Sequence, residues 1–166
     1  APAALVYGVS PDEIAEGLSE AALPHMRMEV VSRGGVHWIN DAYNANPEST
    51  IAGMNWFREY TENVPADRCV LILGDMLELG DEEIDQHREV VEWALMNMPE
   101  TRLITVGERM KEATEEHGDM LRFRTADELL TNLSAEELCG CYVYLKASRS
   151  LGLERLVEEW TQREKK

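Results

Sequence analysis

Positive charge is scarce in this chain: 16 Lys and Arg stand against 32 Asp and Glu in 166 residues, a formal net charge of −16. Nucleic acid and anionic membrane surfaces are bound by clustered Lys and Arg that neutralise phosphates, so neither is expected as a partner. Any anionic ligand has to be met by a few local cations. Apolar runs are short, none approaching the ~20 residues that span a bilayer. The opening Ala1-Pro2-Ala3-Ala4 lacks the charged region and long apolar stretch of a secretory signal. The expectation is a cytoplasmic chain without membrane insertion. Cysteine is limited to Cys69, Cys139 and Cys141, an odd number without C-x-x-C spacing and set in apolar runs, which points to buried reduced thiols rather than a disulfide or metal site. No G-x-x-x-x-G-K-[ST] phosphate loop, nucleophile elbow, H-E-x-x-H or kinase signature occurs. A chain so composed cannot cradle a triphosphate in the usual way.

What is present is 44% apolar sequence, enough for the core of one α/β domain with a short appendage. The first residue is not Met, which suggests a fragment or a processed chain. Residues 12–20 predict a short helix with Ser10 as cap, Pro11 at its first position and Ile14 and Leu18 one turn apart, ended by Pro24. From Met28 to Ile39 two short strands flank Gly34-Gly35, a hairpin signature. A helix over 47–61 opens on Pro47 and carries Ile51, Met54 and Phe57 at helical spacing, and Cys69 to Gly74 reads as a buried strand. Helices over 82–97, 108–116, 126–132 and 151–162 then alternate with strands at 102–106, 121–123 and 141–146. The predicted fold is α/β, a Rossmann-like, mainly parallel sheet with helices on both faces, preceded by a short hairpin.

Ligands of such folds bind beyond the carboxyl ends of the strands, so the polar loops there are the places to inspect. The first, at 40–47, holds Asn40, Asp41, Tyr43, Asn44 and Asn46. Asn46 can cap the following helix, but the set exceeds what one cap needs, and Asp41 can accept bonds from ribose hydroxyls. The second carries Asp75, Glu78 and Asp81 to Glu83. These can ligate Mg²⁺ through oxygen, although acids at 81–83 also suit a helix start; Asp75, directly after its strand, is the candidate for a substrate contact. His87 reads as a surface or packing histidine. The third combines Lys146, Ser148 and Arg149 at a helix start, a set suited to a carboxylate or phosphate.

In order along the chain, Leu23-Pro24-His25-Met26-Arg27, N-D-A-Y-N-A-N-P-E-S at 40–49, G-D-M-L-E-L-G at 74–80 with His87 following, and L-K-A-S-R at 145–149 before Leu153-Glu154 closely resemble the Mur ligases. The likeness covers nearly the whole chain and is strongest to the branch that joins D-alanyl-D-alanine to UDP-MurNAc-tripeptide in peptidoglycan synthesis. The resemblance implies that residues 1–26, with the helix at Pro11 to Leu18, are the tail of the family's central ATPase domain and a hinge, and that 27–166 form the carboxy-terminal domain. It implies an ATP-dependent ligase in which the central domain supplies the phosphate loop and Mg²⁺ ligands while the carboxy-terminal domain swings in to complete the site.

On that resemblance the partners are ATP, UDP-MurNAc-tripeptide, D-alanyl-D-alanine and the family's central and amino-terminal domains. The chain itself holds no catalytic residue and no metal ligand, and is inactive alone. Arg27 corresponds to a hinge arginine that approaches the nucleotide, and Asp41 to the acid that holds the ribose. Asn40, Tyr43, Asn44 and Asn46 correspond to the loop lining the nucleotide and substrate cleft. Lys146, Ser148 and Arg149 lie where the incoming dipeptide is expected, with Asp75 also on the substrate side. Ala42 stands where many relatives have Ser, and Ala147 and Ser150 where Gly is usual or common; Ala147 is expected to tighten its loop. Two other readings stay open: a sister ligase adding a different amino acid or dipeptide, and a free-standing binding module using the same cleft without catalysis.

Overall fold

The structure, a computed structural model, describes residues 9–20, 25–118 and 120–160. Its first helix, α1 (Pro11–Glu20), opens on a reciprocal cap: Ser10 Oγ accepts the Glu13 amide and the Glu13 carboxylate accepts the Ser10 amide, so two amides that a helix start leaves free are satisfied. Leu23, Pro24 and the side chain of Leu18 lie outside the described residues. The hairpin pairs β1 (Glu29–Arg33) with β2 (Val36–Asn40). Its turn residues Gly34 and Gly35 have φ of 59° and 68°, the left-handed conformation that a two-residue hairpin turn demands.

The chain continues through α2 (Pro47–Tyr60), β3 (Cys69–Gly74), α3 (Glu83–Asn97), β4 (Arg102–Val106), α4 (Glu108–Ala113) and β5 (Leu121–Phe123). It ends with α5 (Ala126–Asn132), α6 (Ala135–Leu138), β6 (Tyr142–Lys146) and α7 (Glu154–Trp160). Six strands make one sheet in the order β1-β2-β6-β3-β4-β5, antiparallel between β1 and β2 and parallel at every other pairing. This is the α/β fold that the sequence predicts. β6, last in the chain, inserts between β2 and β3, so the carboxyl ends of β2, β6 and β3 are neighbours. The three polar loops therefore meet at one edge.

Side chains alternate between the faces of a strand, and both faces are covered. On one, Trp38, Val70, Ile72, Val143 and Leu145 pack under Leu129 and Leu130 of α5 and Leu156, Val157 and Trp160 of α7. On the other, Ile39, Leu71, Leu73 and Tyr144 pack under Met54 and Phe57 of α2 and Val90, Val91 and Ala94 of α3. Among the described residues no helix is long and apolar enough to cross a membrane.

Several boundaries differ from the sequence expectation for local reasons. Helix α4 stops at Ala113 because Arg122 donates to the carbonyls of Thr114, His117 and Gly118, satisfying groups that a longer helix would have used itself. Helix α7 starts at Glu154, not 151, because Gly152 is left-handed after a 3-10 turn at Arg149–Leu151. The short α6 escaped prediction; its Ser134–Glu137 capping box holds one turn. The expectation of three buried thiols is corrected: Cys69 and Cys141 are buried, but Cys139 is exposed on the turn after α6.

Candidate functional site

Asp41 follows β2, and its amide donates to Leu145 O of β6 at 2.9 Å, which extends the parallel ladder by a residue and fixes the carboxylate beside β6. Oδ2 accepts Lys146 Nζ at 2.6 Å and Tyr144 Oη–H at 3.2 Å, while Oδ1 accepts the Met28 amide at 3.2 Å. Tyr144 and Lys146 are two apart on β6 and so reach the same face. All three side chains are buried. Burial, reinforced by the neighbouring Asp41 charge, pushes the Tyr144 phenol well above its usual pKa, so it stays a donor. Its oxygen sits 1.8 Å from where a Cβ on Gly53 would be, with Cζ at 2.7 Å. Only glycine at 53 lets α2 lie this close to β6.

The rest of the first loop divides between support and display. Asn40 is buried, and its Oδ1 accepts the Ala42 amide at 3.3 Å. Asn46 caps α2, Oδ1 accepting the Ser49 amide at 2.8 Å while Ser49 Oγ accepts the Asn46 amide. Tyr43 is exposed, with the Arg27 guanidinium 4.4 Å and the Arg149 guanidinium 5.1 Å from its ring centroid, both within cation–π range. Arg27 itself lies between Met26 and Met28, whose φ values are 63° and 50°. Such left-handed non-glycine residues persist only where surroundings enforce them. Here Met26 is buried and accepts the Tyr43 amide through its carbonyl, and Met28 is tied to Asp41.

In the second loop Asp75 is committed to α4: Oδ1 accepts the Met110 amide at 2.8 Å and Oδ2 the Arg109 amide at 3.3 Å. Glu83 pairs with the Arg109 guanidinium. His87 is fully buried; Nε2 accepts the Met76 amide at 2.8 Å and Nδ1–H donates to Glu83 O. Of the surface and packing readings the structure selects packing, and burial lowers its pKa. Among the described residues no group of three His, Cys, Asp or Glu is arranged to hold a metal. In the third loop Ser148 Oγ accepts the Leu77 amide at 2.8 Å and Ser148 N donates to Asp75 O at 3.0 Å, stitching the second and third loops together. Ala147 is buried against Gly74, where a Cβ would come within 2.7 Å of its methyl.

Two adjoining cavities open at this edge. One, of about 160 Å³, is lined by Arg27, Asp41, Tyr43, Asn44, Asn46, Ser49 and Lys146. The other, of about 440 Å³, shares Arg27, Asp41, Ser49 and Lys146 and adds Met28, Ala52, Gly53 and Trp56. Six of the residues singled out in the sequence thus converge. Asn40, Asp75 and Ser148 line neither cavity and make internal bonds, and Arg149 reaches the group through Tyr43. Lys146 lines both cavities while its ammonium is held by Asp41. A cavity of about 580 Å³ lies at the amino ends of β4 and β5, around Arg102 and Leu121, away from these loops. Sequence reasoning missed Ser49, Trp56 and Tyr144. The first two recur with Ala52 and Gly53 at helical spacing on α2, a second stripe beside the core stripe, and that was the available signal.

The sequence pattern of the family described as Mur ligase, glutamate ligase domain, matches residues 26–138. UDP-N-acetylmuramoyl-tripeptide--D-alanyl-D-alanine ligase of Bacillus subtilis is 32% identical over 162 residues, covering 92% of this chain and 34% of that protein. The chain therefore spans about a third of the length of the curated relatives it matches. MurF from Acinetobacter baumannii superposes with a TM-score of 0.76 at 27% identity, over 96% of this chain and 35% of that one. MurF ligase from Thermotoga maritima, solved in complex with ADP, has the same fold, with a TM-score of 0.66 at 20% identity over 97% of this chain and 36% of that one. The family match across residues 26–138, carried on this sheet and these loops, shows that the chain belongs to the Mur ligases, through their glutamate ligase domain.

Proposed function

We propose that this chain is the carboxy-terminal, nucleotide- and substrate-closing domain of an ATP-dependent ligase that adds D-alanyl-D-alanine to UDP-MurNAc-tripeptide in the cytoplasm. The observation that carries the reading is the convergence of Asp41, Lys146 and Arg27 where two cavities meet at the carboxyl ends of β2 and β6. The name of the Bacillus subtilis relative and the ADP of the Thermotoga maritima structure support it.

In this reading Asp41 accepts the ribose hydroxyls while Lys146 and Tyr144 hold its carboxylate in place. Arg27 and Arg149 are the exposed cations, Arg27 toward the nucleotide phosphates and Arg149 toward the dipeptide carboxylate, which a guanidinium can grip with two parallel bonds. Tyr43, Asn44 and Asn46 line the cleft between them. Asn40, Asp75 and Ser148 act one step back, fixing the loops that carry these groups.

The residues present fit the nucleoside end of ATP, since a carboxylate sits beside an apolar wall. They supply no ligand for its Mg²⁺, because Asp75 and Glu83 are already engaged with amides and a guanidinium. The Mg²⁺ ligands belong to the family's central domain, and residues 1–26 to its tail and hinge, with 27–166 as the closing domain. In the reaction ATP transfers its terminal phosphoryl group to the tripeptide carboxylate, and the dipeptide amine then attacks the acyl phosphate and releases phosphate. This chain contributes position and charge, holding the amine component in line and placing guanidinium groups where negative charge develops.

An amide-resolved NMR titration with ADP and, separately, D-alanyl-D-alanine tests the assignment. ADP is expected to shift residue 27 and residues 41–46, and the dipeptide residues 146–149. Shifts confined to the opposite end of the sheet, or none at millimolar ligand, would refute it.

A further inference from the structure

Two cavities adjoin at the amino ends of β3, β4 and β5, on the edge of the sheet opposite the three loops. The one around Arg102 and Leu121, of about 580 Å³, takes apolar walls from Leu95, Leu103, Met120 and Leu121. The other, of about 260 Å³, takes them from Val64, Ala66, Cys69, Met98 and Pro99. Thr101 lines both. Met96, between Leu95 of the first lining and Asn97 of the second, is 73% exposed, and Leu121 is 40% exposed. Single apolar side chains at a surface are ordinary. Here two of them adjoin cavities that are themselves apolar, which is the mark of an interaction surface.

We infer that this edge receives an extended segment of a protein partner that carries apolar side chains between lysines or arginines. Two adjoining cavities with Met96 between their linings suit a segment with successive apolar anchors. The sign of the partner follows from the surrounding charge. Glu92 precedes Leu95 by one turn of α3, Glu100 precedes Thr101, and Glu115 and Glu116 precede His117; all four are exposed. The cations nearby are already engaged. Arg102 donates to Glu137 at 3.0 Å, and Arg122 is committed to the carbonyls of Thr114, His117, Gly118 and Met120. Arg58, on the second cavity, is matched by Glu62 of the same lining. An acidic rim around an apolar floor selects a basic partner and repels an acidic one. Asp41 and the three loops lie at the other ends of the strands, so a partner held here leaves their cleft open, and the inference is independent of the nucleotide reading.

The test is an amide-resolved NMR titration of this chain with three short synthetic peptides blocked at both ends: one alternating lysine and leucine, one alternating glutamate and leucine, and one alternating lysine and alanine. The lysine–leucine peptide is expected to give saturable shifts at residues 95–103 and 117–121, with the other two at least about tenfold weaker. Salt at about 1 M, which shortens the Debye length to about 3 Å, should weaken its binding several-fold. Met96→Ala and Leu121→Ala, both at exposed positions where folding tolerates the change, should each weaken it about three- to tenfold, the effect of one partly covered apolar side chain. Equal binding of either control peptide, shifts confined to residues 41–46, or no saturable shift from any of the three would overturn the inference. Shifts at 95–103 and 117–121 that grow on concentrating the chain alone would make a second copy the occupant and overturn it as well.

Discussion

Replacing Lys146 by Met removes the cation from a carboxylate that has little access to water. The side chains of Lys146 and Asp41 are 5% and 11% exposed, and methionine preserves much of the packing of the lysine stem. At the 2.6 Å separation of Nζ and Oδ2, the gross attraction at an effective dielectric of 20 is about 6 kcal/mol. Much of that is offset by desolvation of both ions, and removing one member of a buried pair is instead dominated by the charge left behind, at about 3–5 kcal/mol. Asp41 keeps bonds from the Tyr144 hydroxyl and the Met28 amide, which places the expectation near the lower end, about 3 kcal/mol. Against a domain stability of roughly 5–15 kcal/mol and a urea dependence of about 1–3 kcal/mol per molar, the unfolding midpoint falls by about 1–3 M. Urea titration followed by far-UV circular dichroism should be run on Lys146→Met, Asp41→Asn and the double variant. The double variant should cost less than the two single losses together by at least about 2 kcal/mol, because a neutral Asn no longer requires a cation. A Lys146→Met variant within about 1 kcal/mol of wild type, or strict additivity, would refute the idea that Lys146 serves Asp41.

Three further outcomes follow from the same contacts. Gly53→Ala forces a methyl into the Tyr144 hydroxyl, 1.8 Å away, and should cost about 1–3 kcal/mol by thermal unfolding; the loss should shrink in a Tyr144→Phe background, and an undiminished loss would place the strain elsewhere. Burial holds the His87 pKa below its usual value, so below about pH 6.5 the unfolded chain gains a proton that the folded chain refuses. Stability from His87 is thus complete above that pH and falls as pH drops toward the folded pKa, and the difference between wild type and His87→Gln should narrow from pH 7 to pH 5; parallel pH curves would contradict this. Asn46→Ala should lose about 1 kcal/mol as a removed helix cap, with Asn46→Asp near neutral, and equal losses in both would show that the amide itself is needed.

Elements with a local signal were legible in the sequence. Gly34-Gly35 set the hairpin, Pro47 opened α2, and the apolar run from Cys69 to Gly74 stood as the central strand. What was missed depended on contacts made at long range or within a single turn, such as the grip of Arg122 on the end of α4. At the site the same limit applied more sharply. Residue types after each strand picked out loops that the structure gathers at one edge of the sheet, but not which groups line the cavities there. Lys146 and Asp41 are 105 residues apart and Ser148 and Leu77 are 71 apart, so nothing local told a ligand contact from a bond between loops. Trp56 was hidden for a related reason: the core stripe of α2 accounted for its helical periodicity, and the outward residues then looked like ordinary surface.

The distribution of cations gives the site its character. Arg27, Lys146 and Arg149 come from three separate segments of a chain with 16 basic residues against 32 acidic ones, yet they gather at one edge of the sheet. Asp41 cancels Lys146, which leaves two exposed guanidinium groups, and both lie against the single ring of Tyr43. Sharing that ring holds them within ~10 Å of each other, about one Debye length at 0.1 M salt, so an anion at either position feels both charges. A locally positive edge on a strongly negative protein concentrates anions there and repels them elsewhere. Tyr43 therefore carries more than its own contacts: it fixes the spacing of the two charges.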